Sequence, residues 1–170
     1  MTASPLKQSP TIDIDIDPIW TETIDWEALA AAATLAAATV APELAHDTML
    51  VSLVMADDDE VQALNKQWRA KDKPTNVLSF PAPAQPRAAE GRANLLGDLV
   101  ICARLLRSEA RAQGKTLRAH WAHLVVHGAL HLIGYDHVKT RDERRMQRRE
   151  ISVLKSLGFA NPYRSGPDVG

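Results

Sequence analysis

The chain has 170 residues, of which 45% are hydrophobic and 24% are charged, as in an ordinary globular domain. This composition excludes a mainly disordered chain and a collagen-like one. Because Cys102 is the single cysteine, an internal disulfide is excluded, and a reducing, cytoplasmic location is expected. No segment predicts a membrane span, and the N-terminal residues lack the pattern of a signal peptide.

Charge is distributed unevenly along the chain. Residues 1–60 carry one basic and twelve acidic side chains, a net charge of −11, whereas residues 61–170 carry nineteen basic and nine acidic ones, a net charge of +10. A local basic surface can attract a polyanion even though the total charge is −1. The alternative is that the two parts neutralise each other when they pack, and both interpretations stay open.

One domain is predicted at residues 11–160, between flexible tails at 1–10 and 161–170. The alternating IDIDID pattern at 12–17 predicts a half-buried edge strand. Strands interleave with helices but without a regular βαβ repeat. The expected fold class is therefore α+β, with helices packed on a small mixed sheet.

The remaining elements are predicted from apolar periodicity, helix caps and turn residues. They are a helix from the Asp25 cap to about Thr39, a strand at Met49–Met55, a helix at 57–69, a strand at 77–80, a proline-rich loop at 81–92, a strand at 95–101 and helices at 103–112, 117–133 and 140–157. The four tryptophans, Trp20, Trp26, Trp68 and Trp121, are predicted to be core residues rather than platforms for base stacking.

Five of the six histidines lie between residues 120 and 137, and three of them have the spacing of metal ligands. His127 and His131 are four residues apart on a predicted helix, so their rings project from one face. Gly134 can end that helix in a left-handed conformation and return the chain, so that His137 offers a third nitrogen. Three protein nitrogens and one open coordination position are typical of a catalytic zinc site.

The helix also carries His120 and His123 in the same stripe. His123 and His131 are about 12 Å apart along the helix axis, so one ion takes either the 127/131 pair or the 123/127 pair. The Gly134 turn favours the first pair, which leaves His120 and His123 to support the ligands or to face a nucleic acid. The alternative is that these histidines only make local hydrogen bonds. The ligand spacing also matches metzincin-type peptidases, but those carry a glutamate after the first histidine, where this chain has glycine at position 128.

Three blocks of the sequence carry a family resemblance. HGALHLIGYDH at 127–137 resembles the signature of the YbeY family of bacterial endoribonucleases, or rRNA maturation factors. LNKQWRAKDKPTNVLSFP at 64–81 and LGD at 96–98 agree with it, and the resemblance covers roughly residues 48–158.

The resemblance implies a single zincin-like α+β domain with one zinc ion on His127, His131 and His137. It also implies a single-strand-specific endoribonuclease that matures the 3′ end of small-subunit (16S) rRNA and serves ribosome quality control. The implied partners are single-stranded RNA and the ribosome, with ribosomal proteins and assembly GTPases as further ones, and no membrane. An arginine of the second block is important for activity in that family, so Arg69 and His127 are the candidate catalytic residues.

Other side chains are assigned supporting roles. Basic residues that can track an RNA backbone are Lys71, Lys73, Arg141, Arg145 and Arg148. Asp98 and Asp136 are candidates for orienting a ligand histidine through its second ring nitrogen.

Two other kinds of function are weighed against the nuclease. One is a zinc peptidase-like hydrolase, and the other is a non-catalytic ribosome-assembly factor with structural zinc. For the nuclease, attack on phosphorus by water and attack by the ribose 2′-OH are both open, and so is the identity of the general base.

Overall fold

A computed structural model describes residues 11–38, 49–81, 94–132 and 140–163 of the chain. It contains four strands and five helices within these ranges. Their bounds are β1 Thr11–Ile16, α1 Trp26–Ala38, β2 Met49–Ala56, α2 Asp58–Arg69, β3 Val77–Pro81, β4 Asn94–Cys102, α3 Ala103–Ala112, α4 Leu117–Leu132 and α5 Thr140–Ser156.

The strands form one mixed sheet in the order β1-β2-β4-β3. β1 and β2 run parallel and are joined through α1, β2 is parallel to β4, and β3 pairs with β4 in the antiparallel direction. The predicted α+β class and the predicted edge position of the alternating strand at 12–17 are therefore confirmed. β3, which carries the end of the block at 64–81, is the opposite edge strand.

Two helices begin at the predicted aspartate caps. Asp25 accepts a hydrogen bond from the backbone N–H of Ala28 at 3.0 Å, and Asp57 accepts one from Glu60 at 2.9 Å. Each bond satisfies one of the backbone donors that a helix start leaves without a partner. Since such caps can be recognised in sequence, the boundaries of α1 and α2 were accessible to prediction.

Helices cover both faces of the sheet, and each face has its own apolar cluster. The larger cluster joins the sheet to α1, α3, α4 and α5, and Leu99 and Ile101 of β4 point into it. Their neighbours Val100 and Cys102 point into a smaller cluster with Val61 of α2. The alternation of side chains along β4 therefore separates an α4 face from an α2 face.

The predicted burial of the tryptophans is confirmed for three of the four. Trp20, Trp26 and Trp121 are buried. The centroid of the Trp26 ring lies 5.2 Å from that of Trp20 and 4.9 Å from that of Trp121. The prediction is wrong for Trp68, whose side chain is 62% exposed in the last turn of α2. Its described ring contact is with Phe80 on β3, and among the described residues no strand pairs with the other side of β3.

Cys102 ends β4 and caps α3, and its thiol donates a hydrogen bond to Asp58 at 2.9 Å. Burial, together with this carboxylate, raises the pKa of the thiol to about 11. At pH 8 we expect native Cys102 to react with iodoacetamide roughly a hundredfold more slowly than a free cysteine does, because little thiolate is present. The unfolded protein is the control, and fast alkylation of the native protein would contradict the assignment.

Among the described residues, no helix has the length and apolar character needed to cross a bilayer. The predicted boundaries of the domain and its tails remain predictions. Residues 1–10 and 164–170 lie outside the described ranges, whereas Asn161 and Tyr163, from the predicted C-terminal tail, are described.

Candidate metal centre

Helix α4 carries a stripe of four histidine rings. Thr116 starts the helix by accepting a hydrogen bond from the N–H of Ala119 at 3.1 Å. In chain order the four residues are His120, His123, His127 and His131. The centroids of consecutive rings are 6.2, 6.3 and 4.7 Å apart in that order. Both His123–His127 and His127–His131 are four residues apart, and the closer pair of rings is His127–His131, the pair predicted to bind the metal.

A buried carboxylate of α5 faces this stripe. Glu150 has no exposed surface, and His127 donates a hydrogen bond to it through Nδ1. The hydroxyl of Tyr163 donates a second bond, to the other carboxylate oxygen, and His123 Nε2 lies 3.5 Å from that same oxygen. A buried carboxylate without partners is costly, so these donors are what make Glu150 tolerable in the core.

The charge on Glu150 depends on these neighbours. Burial alone would raise its pKa, but hydrogen bonds from His123, His127 and Tyr163 outweigh burial and lower the pKa to about 2. For Tyr163, burial and the facing carboxylate raise the pKa of the hydroxyl. At neutral pH the pair is therefore a carboxylate acceptor and a phenol donor.

His120 belongs to a different network, at the start of α4. Its Nε2 lies 2.7 Å from a carboxylate oxygen of Glu109, which also accepts hydrogen bonds from the Asn76 amide at 3.1 Å. Burial lowers the pKa of His120, although Glu109 partly opposes this. The network fixes the start of β3 against α3 and α4 and does not include the other histidines.

Two sets of donors around His127 fit a metal ion by their chemistry. The predicted pair, His127 and His131, has adjacent rings on one helical face. The second set is His123, His127 and Glu150, whose ligand atoms lie within 4.8 Å of one another. Because the Glu150 bond already uses Nδ1 of His127, a metal shared with His131 would take Nε2, as when a carboxylate orients a ligand histidine.

The third predicted ligand, His137, lies outside the described residues, and so do Gly134 and Asp136. The set of three histidines therefore stays a prediction. Glu150 and Tyr163 are absent from the predicted site. One feature of the sequence could have indicated Glu150. Its spacing from the apolar residues Met146, Val153 and Leu154 places a carboxylate within the apolar stripe of α5.

Gly128 occupies the position at which peptidases with this ligand spacing carry their glutamate base. A Cβ atom there would lie 2.7 Å from Leu99 and 3.2 Å from the hydroxyl of Ser79. α4 thus packs so closely on β3 and β4 that a side chain at 128 would require the Leu99 and Ser79 side chains to shift. The peptidase arrangement is disfavoured by packing as well as by composition.

Arg69 reaches β3 from the end of α2. Its guanidinium donates a hydrogen bond to the carbonyl of Ser79 at 2.7 Å and lies 5.6 Å from the centroid of the Phe80 ring. Ser79 also lies against Gly128, next to His127. The second candidate catalytic residue is therefore one strand away from the histidine stripe.

The other predicted residues are placed as follows. Asp98 is half-buried on the α2 face of β4, because its neighbours Gly97 and Leu99 point to α4. The structure therefore does not bring Asp98 to the described histidines, which all lie on α4. Lys71 and Lys73 are exposed after α2. On α5, Arg145 and Arg148 are exposed, and the side chain of Arg141 is not among those that the structure describes.

Comparisons with known proteins agree on one family. The family model for Endoribonuclease YbeY matches residues 17–158. The chain belongs to the YbeY family. A YbeY protein of Novosphingobium aromaticivorans, named Endoribonuclease YbeY, is 50% identical over 161 residues, which cover 91% of this chain and 96% of that protein.

A solved structure shows the same fold as this YbeY chain. The solution structure of TM1509 from Thermotoga maritima superposes with a TM-score of 0.52 at 21% sequence identity. The match covers 91% of this chain and 99% of that one. The expected fold, with the mixed sheet and its helices, is therefore confirmed.

Proposed function

We propose that this protein is a metal-dependent endoribonuclease that cuts single-stranded RNA. The observation that carries the proposal is the adjacent His127–His131 pair beside the buried Glu150, in a chain whose 50% identical relative is named an endoribonuclease. The proposed biological role is maturation of the 16S rRNA 3′ end and ribosome quality control in the cytoplasm. Ribosomal proteins and assembly GTPases are the proposed further partners.

His127, His131 and His137 are the proposed ligands of one zinc ion per chain. A zinc ion in such a site supplies Lewis-acid stabilisation of phosphoryl charge and makes water easier to deprotonate. Glu150 orients the His127 ring by accepting a hydrogen bond from its Nδ1–H, and Tyr163 in turn orients Glu150 by donating a hydrogen bond to it. Ring orientation is thereby fixed before any ligand binds.

Arg69 is the proposed phosphate-binding residue. Its planar guanidinium suits two phosphate oxygens at once, and the Ser79 carbonyl and the Phe80 ring hold it at the edge strand. As the phosphodiester is attacked, extra negative charge forms on its oxygens, and Arg69 stabilises that charge. The proposed contacts to the rest of the RNA backbone come from Lys71, Lys73, Arg141, Arg145 and Arg148.

Cleavage assays with matched substrates test the proposal. Purified protein of known metal content is incubated with labelled single-stranded and double-stranded RNA, beside the His137→Ala variant. We expect cleavage of the single strand that rises with zinc occupancy. Cleavage that does not change with zinc occupancy would contradict the metal-dependent mechanism. A His137→Ala variant that binds RNA, restores rRNA maturation and cleaves nothing in vitro would favour the non-catalytic assembly factor instead.

The same assay separates the two routes of attack. A substrate with one 2′-deoxyribose at the cleaved position cannot use its 2′-OH as the nucleophile. Cleavage of that substrate at an unchanged rate indicates attack by water. Loss of cleavage, together with a 2′,3′-cyclic phosphate on the normal product, indicates attack by the 2′-OH.

The Glu150→Gln variant tests how the metal is held. Glutamine keeps an acceptor for His127 but removes the charge, so we expect metal affinity to fall by about 10- to 100-fold. Competition with a coloured chelator measures this, and Glu143→Gln, exposed on the same helix, is the matched control. Unchanged affinity would contradict the role of Glu150. If the His123→Ala variant loses the metal and the His131→Ala variant keeps it, the result would instead support the set of His123, His127 and Glu150.

A further inference from the structure

Trp68 is a large aromatic side chain that the fold leaves in solvent. It is 62% exposed, whereas Trp20, Trp26 and Trp121 are at most 7% exposed. Single exposed apolar residues are common on protein surfaces and need no explanation by themselves. What distinguishes Trp68 is the set of groups around it.

The neighbours of Trp68 are another ring and a cation. The Phe80 ring lies 6.4 Å away between centroids at an interplanar angle of 67°, and the guanidinium of Arg69 lies 5.6 Å from the Phe80 centroid. We call these three side chains, Trp68, Arg69 and Phe80, the Trp68 platform. Aromatic rings beside arginine are the groups on which unpaired nucleobases stack in proteins that bind single strands.

The charge around the platform suits a polyanion. Residues 66–73 include four cationic side chains, Lys66, Arg69, Lys71 and Lys73, and one acidic side chain, Asp72. Asp72 lies 3.9 Å from Lys66 and accepts a hydrogen bond from Gln62 at 3.0 Å, which leaves a net positive surface. Asp98 faces Phe80 across the β3–β4 ladder but is half-buried.

The platform lies next to the candidate metal centre, across one edge strand. On β3, Ser79 points to Gly128 beside His127, and the next residue, Phe80, points to Trp68 on the opposite face. Arg69 bonds the Ser79 carbonyl between them. An RNA strand that lies at the histidines can therefore reach Trp68 by crossing the edge of the sheet.

We propose that the Trp68 platform binds an unpaired nucleobase of the RNA strand that is cut at the histidine site. The base stacks on Trp68 while the neighbouring phosphates contact Arg69 and the lysines. A base inside a duplex has both faces covered by its neighbours, so stacking on Trp68 also favours single strands over double strands. This inference rests on the proposed function, because it names the part of the substrate that the site recognises.

Tryptophan fluorescence shows first whether the platform is available. Since the other three tryptophans are buried, acrylamide should quench mainly Trp68 in the free protein, and an RNA oligonucleotide of about ten nucleotides should protect it. A Trp68 that acrylamide does not reach in the free protein is covered by the chain itself or by a second copy. That result would overturn the proposal.

Affinity measurements then test stacking. In a His127→Ala background, which prevents cleavage, we expect Trp68→Ala to weaken RNA binding about tenfold and Trp68→Phe to weaken it much less. The matched control is Ile19→Ala, an exposed apolar side chain beyond β1 at the opposite edge of the sheet. Circular dichroism shows whether each variant is folded.

A second ligand separates stacking from charge. An oligonucleotide of the same length with abasic sugars keeps its phosphates, so wild type and Trp68→Ala should bind it equally. An unchanged affinity of Trp68→Ala for normal RNA, or an equal loss for both ligands, would overturn the proposal. Cleavage and metal content of the wild-type protein are measured separately, so the platform can fail while the nuclease function stands, and the reverse.

Discussion

We expect the His127→Ala variant to lose both its metal and its RNA-cleaving activity. His127 belongs to both candidate donor sets among the described residues, so neither set is complete without this ring. Loss of Lewis-acid stabilisation is worth several kcal/mol, which corresponds to roughly a thousandfold in rate. Elemental analysis and the rate of cleavage of labelled single-stranded RNA measure the two losses.

The same substitution also affects folding, because Glu150 loses a donor while it stays buried. We expect the free energy of unfolding of the metal-free protein to fall by roughly 1–3 kcal/mol. His120→Gln is the matched control, since it disturbs a buried histidine of the same helix that bonds Glu109 instead. If His120→Gln loses metal as completely as His127→Ala does, the loss reflects damage to α4 and not removal of a ligand.

The second large effect is expected for Arg69→Ala. Removing one preorganised donor to a developing oxyanion lowers kcat by about 100- to 1000-fold. Arg69 is exposed and contributes one hydrogen bond and one ring contact, so stability should change by less than about 1 kcal/mol. The rate of RNA cleavage by the folded, zinc-loaded variant tests the expected fall in kcat.

Two further variants sharpen the result for Arg69. Arg69→Lys keeps the charge but not the planar fork, so it should recover only part of the rate. Arg111→Ala, an exposed arginine at the end of α3, should cleave like wild type. Values of kcat and KM for Arg69→Ala that are both close to those of wild type would show that the arginine has only a structural contact with β3. An effect on KM alone would place it in substrate binding, as proposed for Trp68.

Local signals predicted most of the fold. Aspartate caps, strict alternation and prolines act over a few residues, so the bounds of α1, α2 and β1 agree with the structure within two residues. The adjacency of His127 and His131 follows from helix geometry alone. The role of Glu150 could not be predicted in this way. Glu150 and His127 are 23 residues apart in sequence, and their contact depends on how α5 packs against α4.

The error at Trp68 has a similar cause. Periodicity predicts that Val61, Leu64 and Trp68 share the buried face of α2, and in the structure Val61 is buried and Leu64 is half-buried. Periodicity does not show how far the sheet extends below a helix. The last turn of α2 lies at the edge strand, where Phe80 is the ring that Trp68 contacts.

The close contact of α4 with the sheet at Gly128 limits what this scaffold can become. Installing a proton acceptor there, as a first step toward cutting peptides, would require the side chains of Leu99 and Ser79 to move. A redesign toward amide hydrolysis therefore has to make room at Leu99 of β4 and Ser79 of β3 before it changes the histidine helix.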